Sequence, residues 1–224
     1  LSKAQRRVLG VLVEKGLTVP DSYPMTLKAL TTGCNQKNNR DPISDYSEDD
    51  VSETLDQLRQ MGLISVVHTE SGRTERYRHY LRHRLQMSEP QIPIPTELLL
   101  RGRQQPGELR SRAGRMAPIE NQESLRGELQ GLIDRKLVQM NGPIDRRGVE
   151  VDHTLYKPNE NRAMTPMADE PTSPPPRQAA AAPSPASATS VVSITEPPDH
   201  GRFAAIESAM SQLKSQNEAL TLEQ

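Results

Sequence analysis

The chain has 224 residues, enough for one large domain or for two small ones and a tail. Only 33% are hydrophobic, against the ~45–50% usual for compact domains (a figure that also counts Gly), so either the domains are small or part of the chain never folds. A net charge of −1 excludes a strongly cationic nucleic-acid binder at whole-chain level. Aromatics at 3%, with no Trp and one Phe, weigh against a protein that stacks single strands on rings. No apolar run approaches the ~18 residues of a membrane helix, and no signal peptide is visible. The single cysteine, Cys34, cannot form an internal disulfide, so the expected compartment is the reducing cytosol.

Residues 1–86 read as a first globular domain. Ser2 and Gln5 have capping-box spacing, and Val8, Leu9, Leu12 and Val13 share one face of a helix to Lys15, with Gly16 as its stop. Pro24 opens a second helix to Thr32, with Gly33 as its stop. A polar loop runs from Cys34 to Tyr46. Ser47 and Asp50 open a third helix to Met61, whose apolar face is Val51, Leu55 and Leu58. Leu63–Val67 and Arg76–Leu81 are the strands of a hairpin. Three helices and then a hairpin is the order of a winged helix.

Residues 87–160 repeat that order. Glu97–Leu100 is a short helical piece, since Pro90, Pro93 and Pro95 oppose a helix interior. Pro106–Ala113 and Asn121–Lys136 are helices, and Leu125, Leu129, Leu132 and Ile133 line one face of the latter. Val138–Met140 and Val149–Tyr156 are strands. Residues 161–200 are dominated by Pro, Ala, Ser and Thr and read as a disordered linker. In residues 201–224, Phe203, Ile206, Met210, Leu213, Asn217 and Leu220 follow a 3,4 heptad spacing. That seam reads either as a two-stranded coiled coil joining two copies or as a marginal amphipathic helix. The expected class is mainly α with small β-hairpins (α+β): two tandem winged-helix domains, a disordered linker and a C-terminal helix.

Three segments carry a resemblance. They are EKGLTVPDSYP (Glu14–Pro24), CNQKNNRDP (Cys34–Pro42) and LLLRGRQQPGELRSRAGRM (Leu98–Met116). With these the chain resembles the YceH-like family of uncharacterised bacterial proteins, over about residues 1–157. The resemblance implies two tandem winged helices and no enzyme activity. It makes Cys34, Asn35, Gln36, Asn39 and Pro42 part of a signature loop.

Basic residues are the candidates for binding. The hairpin offers Arg73, Arg76 and Arg78; Arg76 and Arg78 share a strand face that could track phosphates. The second domain offers Arg101, Arg103, Arg110, Arg112 and Arg115, with only Glu108 opposing nearby in sequence. The loop offers Lys37 and Arg40 beside amides that also suit internal bonds. The third helix is acidic, with Glu48, Asp49, Asp50, Glu53 and Asp56 against Arg59, which suits DNA poorly. Cys34 has no evident catalytic partner, His79 and His83 fall on a strand and a loop, and no P-loop, dinucleotide fingerprint or HExxH occurs. The sequence therefore points to a non-enzymatic binding protein with no cofactor or metal and no membrane contact. Double-stranded DNA is the leading partner. The alternative is a protein-interaction scaffold using the acidic third helix and the heptad tail.

Overall fold

The fold is built around α1 (Lys3–Thr18). Ser2 caps it by a reciprocal box: Ser2 Oγ accepts from the Gln5 amide at 3.2 Å, and Gln5 Oε1 accepts from the Ser2 amide at 2.8 Å. Gly16 does not stop it. The helix runs on to Thr18, whose hydroxyl donates to Glu14 O at 2.8 Å. All residues from Gln5 to Glu14 are buried, so α1 is covered on every side and not on the one face its periodicity predicts. The computed structural model describes residues 1–68 and 74–167. Arg73, most of the predicted linker and the heptad positions Ile206, Met210, Leu213, Asn217 and Leu220 lie outside the described residues.

Met25–Thr26 forms a short strand, β1, and α2 (Leu27–Cys34) follows. Helix α2 starts later than the Pro24 signal because Thr26 is its cap: Thr26 Oγ1 accepts from the Ala29 amide at 3.3 Å. Helix α3 (Glu48–Gln60) carries the expected Ser47–Asp50 capping box. Strands β2 (Ile64–Val67) and β3 (Arg76–His79) complete an antiparallel sheet in the order β1-β3-β2, with Val66 and Met25 both opposite Tyr77. The expected strand end at Leu81 is corrected: buried Leu81 begins a short helix, α4 (Leu81–Leu85).

Helix α5 (Pro93–Arg101) replaces the expected fragment Glu97–Leu100. Its prolines fall in the first turn, where backbone N–H groups have no intrahelical partner to lose. Thr96 supplies the first bond to Ile92 O, at 3.3 Å. Helices α6 (Pro106–Ala113) and α7 (Gln122–Asp134) lie where the sequence places them, and α7 is capped by Asn121. Strands β4 (Val138–Met140) and β5 (Val151–His153) pair antiparallel, and Gln104 bridges to Val151. Residues 161–167, inside the predicted linker, lie along β4. Met164 N donates to Gln139 Oε1 at 3.0 Å and Met167 N to Asn141 O at 2.7 Å.

The chain is thus mixed α+β, with seven α-helices and small antiparallel sheets among the described residues. One apolar core runs through both halves, from Leu9, Leu12 and Leu58 to Leu98, Leu109 and Leu129. Helices α1 and α5 meet closely at Gly10. A Cβ there would stand 2.9 Å from Leu100 Cδ2, so only glycine permits this approach. Among the described residues no helix is long and apolar enough to cross a membrane.

Candidate functional site

The loop after α2 turns inward. Asn35 behaves as a backbone unit: its Nδ2 donates to Tyr46 O at 2.7 Å and its Oδ1 accepts from Tyr46 N at 2.8 Å. Gln36 Oε1 accepts from Arg40 at 3.0 Å, and Arg7 closes the loop by donating to Pro42 O at 2.6 Å and to Cys34 O at 3.1 Å. Arg40, expected to face phosphate, is buried. Its guanidinium grips Glu14 at 2.6 and 3.2 Å and also donates to Gly33 O and Asn39 O. A charge sealed by a carboxylate and two carbonyls cannot reach a nucleic acid, so Arg40 is a structural residue. Lys37 remains exposed. Burial pushes the Cys34 thiol up to about 12, so it stays protonated and inert at neutral pH.

The arginines of the second half are largely engaged. Buried Glu97 accepts from Arg101 at 2.9 Å and from Arg115 at 3.2 Å. Arg101 also donates to Asn39 Oδ1, joining α5 to the loop. Arg112 pairs with Glu108 and donates to Gln104 Oε1 at 3.2 Å. Arg110 donates to Glu120 O at 3.3 Å. Arg103 lies 3.5 Å from Glu150 and 3.8 Å from Asp152. The expected uncompensated cluster is therefore corrected: Glu97, Glu150 and Asp152 are distant in sequence or on the hidden side of the helix, and the fold brings them to it. On β3, Arg76 donates to Pro24 O at 2.9 Å, whereas Arg78 is exposed and has no acceptor among the described residues. Among the described residues, no group of three or more His, Cys, Asp or Glu is placed to hold a metal ion.

Sequence reasoning missed a cleft of about 350 Å³ between α1, the C-terminal end of α5 and the segment after β5. Arg6 and Arg7, adjacent on α1, line it; no local pattern distinguishes them from surface arginines. Arg6 forms a fork with Glu160 at 2.7 and 2.8 Å and lies 4.6 Å from the centre of the Tyr156 ring. The opposite wall is Asp152, His153 and Tyr156. Tyr156 donates to the Asp152 carboxylate at 2.9 Å, and the His153 amide donates to it at 2.8 Å. Burial raises the pKa of Asp152 despite these bonds. His153 is held well below its ordinary value, to about 3, by burial and then by the nearby Arg6. Its Nδ1 accepts from the Leu155 amide at 3.2 Å, so the neutral ring carries its proton on Nε2. The run Val151-Asp152-His153 is buried throughout, so its polar groups face inward.

Relatives share the part of the chain that builds these features. It is 46% identical over 160 residues to a UPF0502 protein of Rhodopirellula baltica, covering 71% of this chain and 67% of that one. It is 46% identical over 135 residues to a UPF0502 protein of Geobacter sulfurreducens, covering 60% and 61%. For a UPF0502 protein of Geotalea daltonii the figures are 44% over 137 residues, 60% and 62%. The match thus spans about three fifths to two thirds of these relatives, which carry the UPF0502 name and not YceH. Residues 1–147 match the family described as "Protein of unknown function, DUF480", and the chain belongs to that family of uncharacterised bacterial proteins.

Proposed function

We propose that the protein is a non-enzymatic binding protein of two tandem winged helices whose outer surface meets a basic protein partner. The order α1, β1, α2, α3, β2, β3 supports the first winged helix. Its echo in α5, the Gln104 bridge, α6, α7, β4 and β5 supports the second. In this fold the third helix commonly enters the DNA groove. Here α3 exposes Glu48, Asp49, Asp50, Glu53 and Asp56, and its Arg59 is turned to Asp56 at 2.9 Å. Helix α7 exposes Glu123 and Asp134, and its Arg126 is held by Glu123 and Asp145. That both third helices present carboxylates is the observation that carries the reading, because DNA phosphates would be repelled there. Ile43, 62% exposed in the segment leading into α3, adds an apolar contact.

Duplex DNA is the second reading, favoured by exposed Arg78 and Lys37. Fluorescence anisotropy of the full chain with a labelled arginine-rich peptide and a labelled duplex, at ~50 and ~200 mM salt, separates the two. The expected result is peptide binding that disappears when Glu48, Asp49 and Glu53 are all changed to Lys, with no duplex binding. Duplex binding that falls steeply with salt and is lost in Arg78→Ala would overturn the proposal.

A further inference from the structure

The cleft between the halves holds more positive charge than its own carboxylates match. Arg7 is 4% exposed, yet all its partners are neutral: Pro42 O, Cys34 O and Ser44 Oγ, with Leu100 O at 3.4 Å. Its Nε is buried with no acceptor. A guanidinium so placed bears the cost of desolvation with no anion in direct contact to offset it. Lys3 and Arg162 also line the cleft, both exposed, and neither has a carboxylate within 4 Å among the described residues. Arg162 leans over the Tyr156 ring at 5.8 Å.

The negative groups are mostly spent. Glu160 is forked to Arg6, and Asp152 takes the Tyr156 hydroxyl and the His153 amide, with Arg103 3.8 Å away and Arg162 also favouring its charge. Arg101 is drawn to Glu97, outside the cleft lining. Asp41 has no cation within 4 Å among the described residues, but it stands near enough to Arg7 to favour the charged guanidinium. Six cations therefore line the cleft against three carboxylates, Asp41, Asp152 and Glu160, and His153 adds a neutral Nε2–H donor to the lining. The apolar share of the wall is Pro42, Leu98 and Leu99. A volume of about 350 Å³ is at the lower end of small-ligand pockets, which run from ~300 to ~1,000 Å³.

We propose that this cleft binds a small, multiply charged anion carrying phosphoryl or carboxylate groups. The anion supplies Arg7 with a counter-charge in direct contact and draws Lys3 and Arg162 onto it, so that it ties α1 to the segment after β5. This holds whichever macromolecule the outer surface meets.

The test is calorimetric titration of the full chain with pyrophosphate and, separately, with citrate, at low and constant chloride. The expected result is saturable one-to-one binding, weakened about tenfold or more in the double variant Lys3→Ala/Arg162→Ala. Both of these side chains are exposed and free of ion pairs, so the variant keeps its fold; an unchanged melting temperature without ligand checks this. Tighter binding of pyrophosphate assigns the site to phosphoryl groups, and tighter binding of citrate assigns it to carboxylates. Lack of saturable binding of either anion at roughly 10 mM would overturn the proposal, as would affinity unchanged in the double variant.

Discussion

The two halves bury charge in opposite ways. In the first half the cations go inside: Arg7 and Arg40 are buried on and beside α1, and Glu14 is the carboxylate buried with them. In the second half the carboxylates go inside: Glu97 and Asp152 are sealed, while Arg101, Arg103 and Arg115 reach in from the rim. Geometry explains why both solutions hold. A guanidinium carries five donors in a planar fork, so backbone carbonyls can take most of them without a formal partner, as the loop does for the Nη groups of Arg7 while its Nε is left without an acceptor. A carboxylate accepts only, so Glu97 needs donors brought to it, and two long arginines supply them. The halves repeat an element order but are not interchangeable, and the joint between them is polar as well as apolar. Arg101 to Asn39, Arg6 to Glu160 and Arg7 to Leu100 O all cross it.

The largest cost should follow loss of the sealed pair in the first half. Arg40→Ala leaves buried Glu14 with Lys15, 3.9 Å away, as its remaining cation, for an expected loss of about 3 kcal/mol. Urea melts read this directly. The double variant Glu14→Leu/Arg40→Met should recover much of it, because removing both charges removes the desolvation penalty. A single variant that melts like the native chain would show that water reaches Glu14. Glu97→Gln should cost less, about 1–3 kcal/mol, because Gln keeps one acceptor and Arg115 can turn to solvent. Equal losses in the two variants would contradict the account of the halves given above.

The same contrast explains how far the sequence could be read. Caps and periodicity are local, so Ser2 with Gln5, Ser47 with Asp50, and Val51, Leu55 and Leu58 were legible as helix signals and lie as expected. Helix α5 reads short in the sequence because Pro93 and Pro95 oppose a helix interior, an objection that their place in the first turn removes. The charged groups were the least legible. Arg40 meets Glu14 across 26 positions and Arg6 meets Glu160 across 154, and nothing in a linear stretch of arginines says which will find a carboxylate. The cleft is assembled from α1, α5 and the chain after β5, so it exists only once the halves are joined.

The first half partly buries His79 and the second fully buries His153, and here the two should behave alike. Burial and then Arg78 hold His79 at about 4; burial and then Arg6 hold His153 at about 3; the ordinary value is 6.5. The unfolded chain therefore takes up protons that the folded chain refuses. The stabilisation is fully present above pH 6.5 and is lost as pH falls from there toward 4 and then 3. The slope is at most about 1.4 kcal/mol per pH unit for each histidine. Thermal or urea melts between pH 7 and pH 5 should show the decline, and His79→Gln and His153→Gln should each flatten it. A native chain equally stable across that range would mean that the rings are hydrated in the folded state.

The smallest effect concerns the starts of the two acidic helices. Ser47 Oγ accepts from the Asp50 amide at 3.1 Å, and Asp50 returns a bond to the Ser47 amide at 2.8 Å. Asn121 Oδ1 accepts from the Ser124 amide at 2.8 Å, and no reciprocal bond closes a box there. Each cap satisfies one donor that the helix geometry leaves free, so Ser47→Ala and Asn121→Ala should each cost about 1 kcal/mol. Ser47→Ala should exceed Asn121→Ala by a few tenths, since it also removes the hydroxyl that bonds the Asp50 carboxylate. Paired urea melts resolve such a gap when run side by side. A large excess for Asn121→Ala would mean that α7 depends on its cap for more than one bond, and that the halves differ at their surfaces as they do inside.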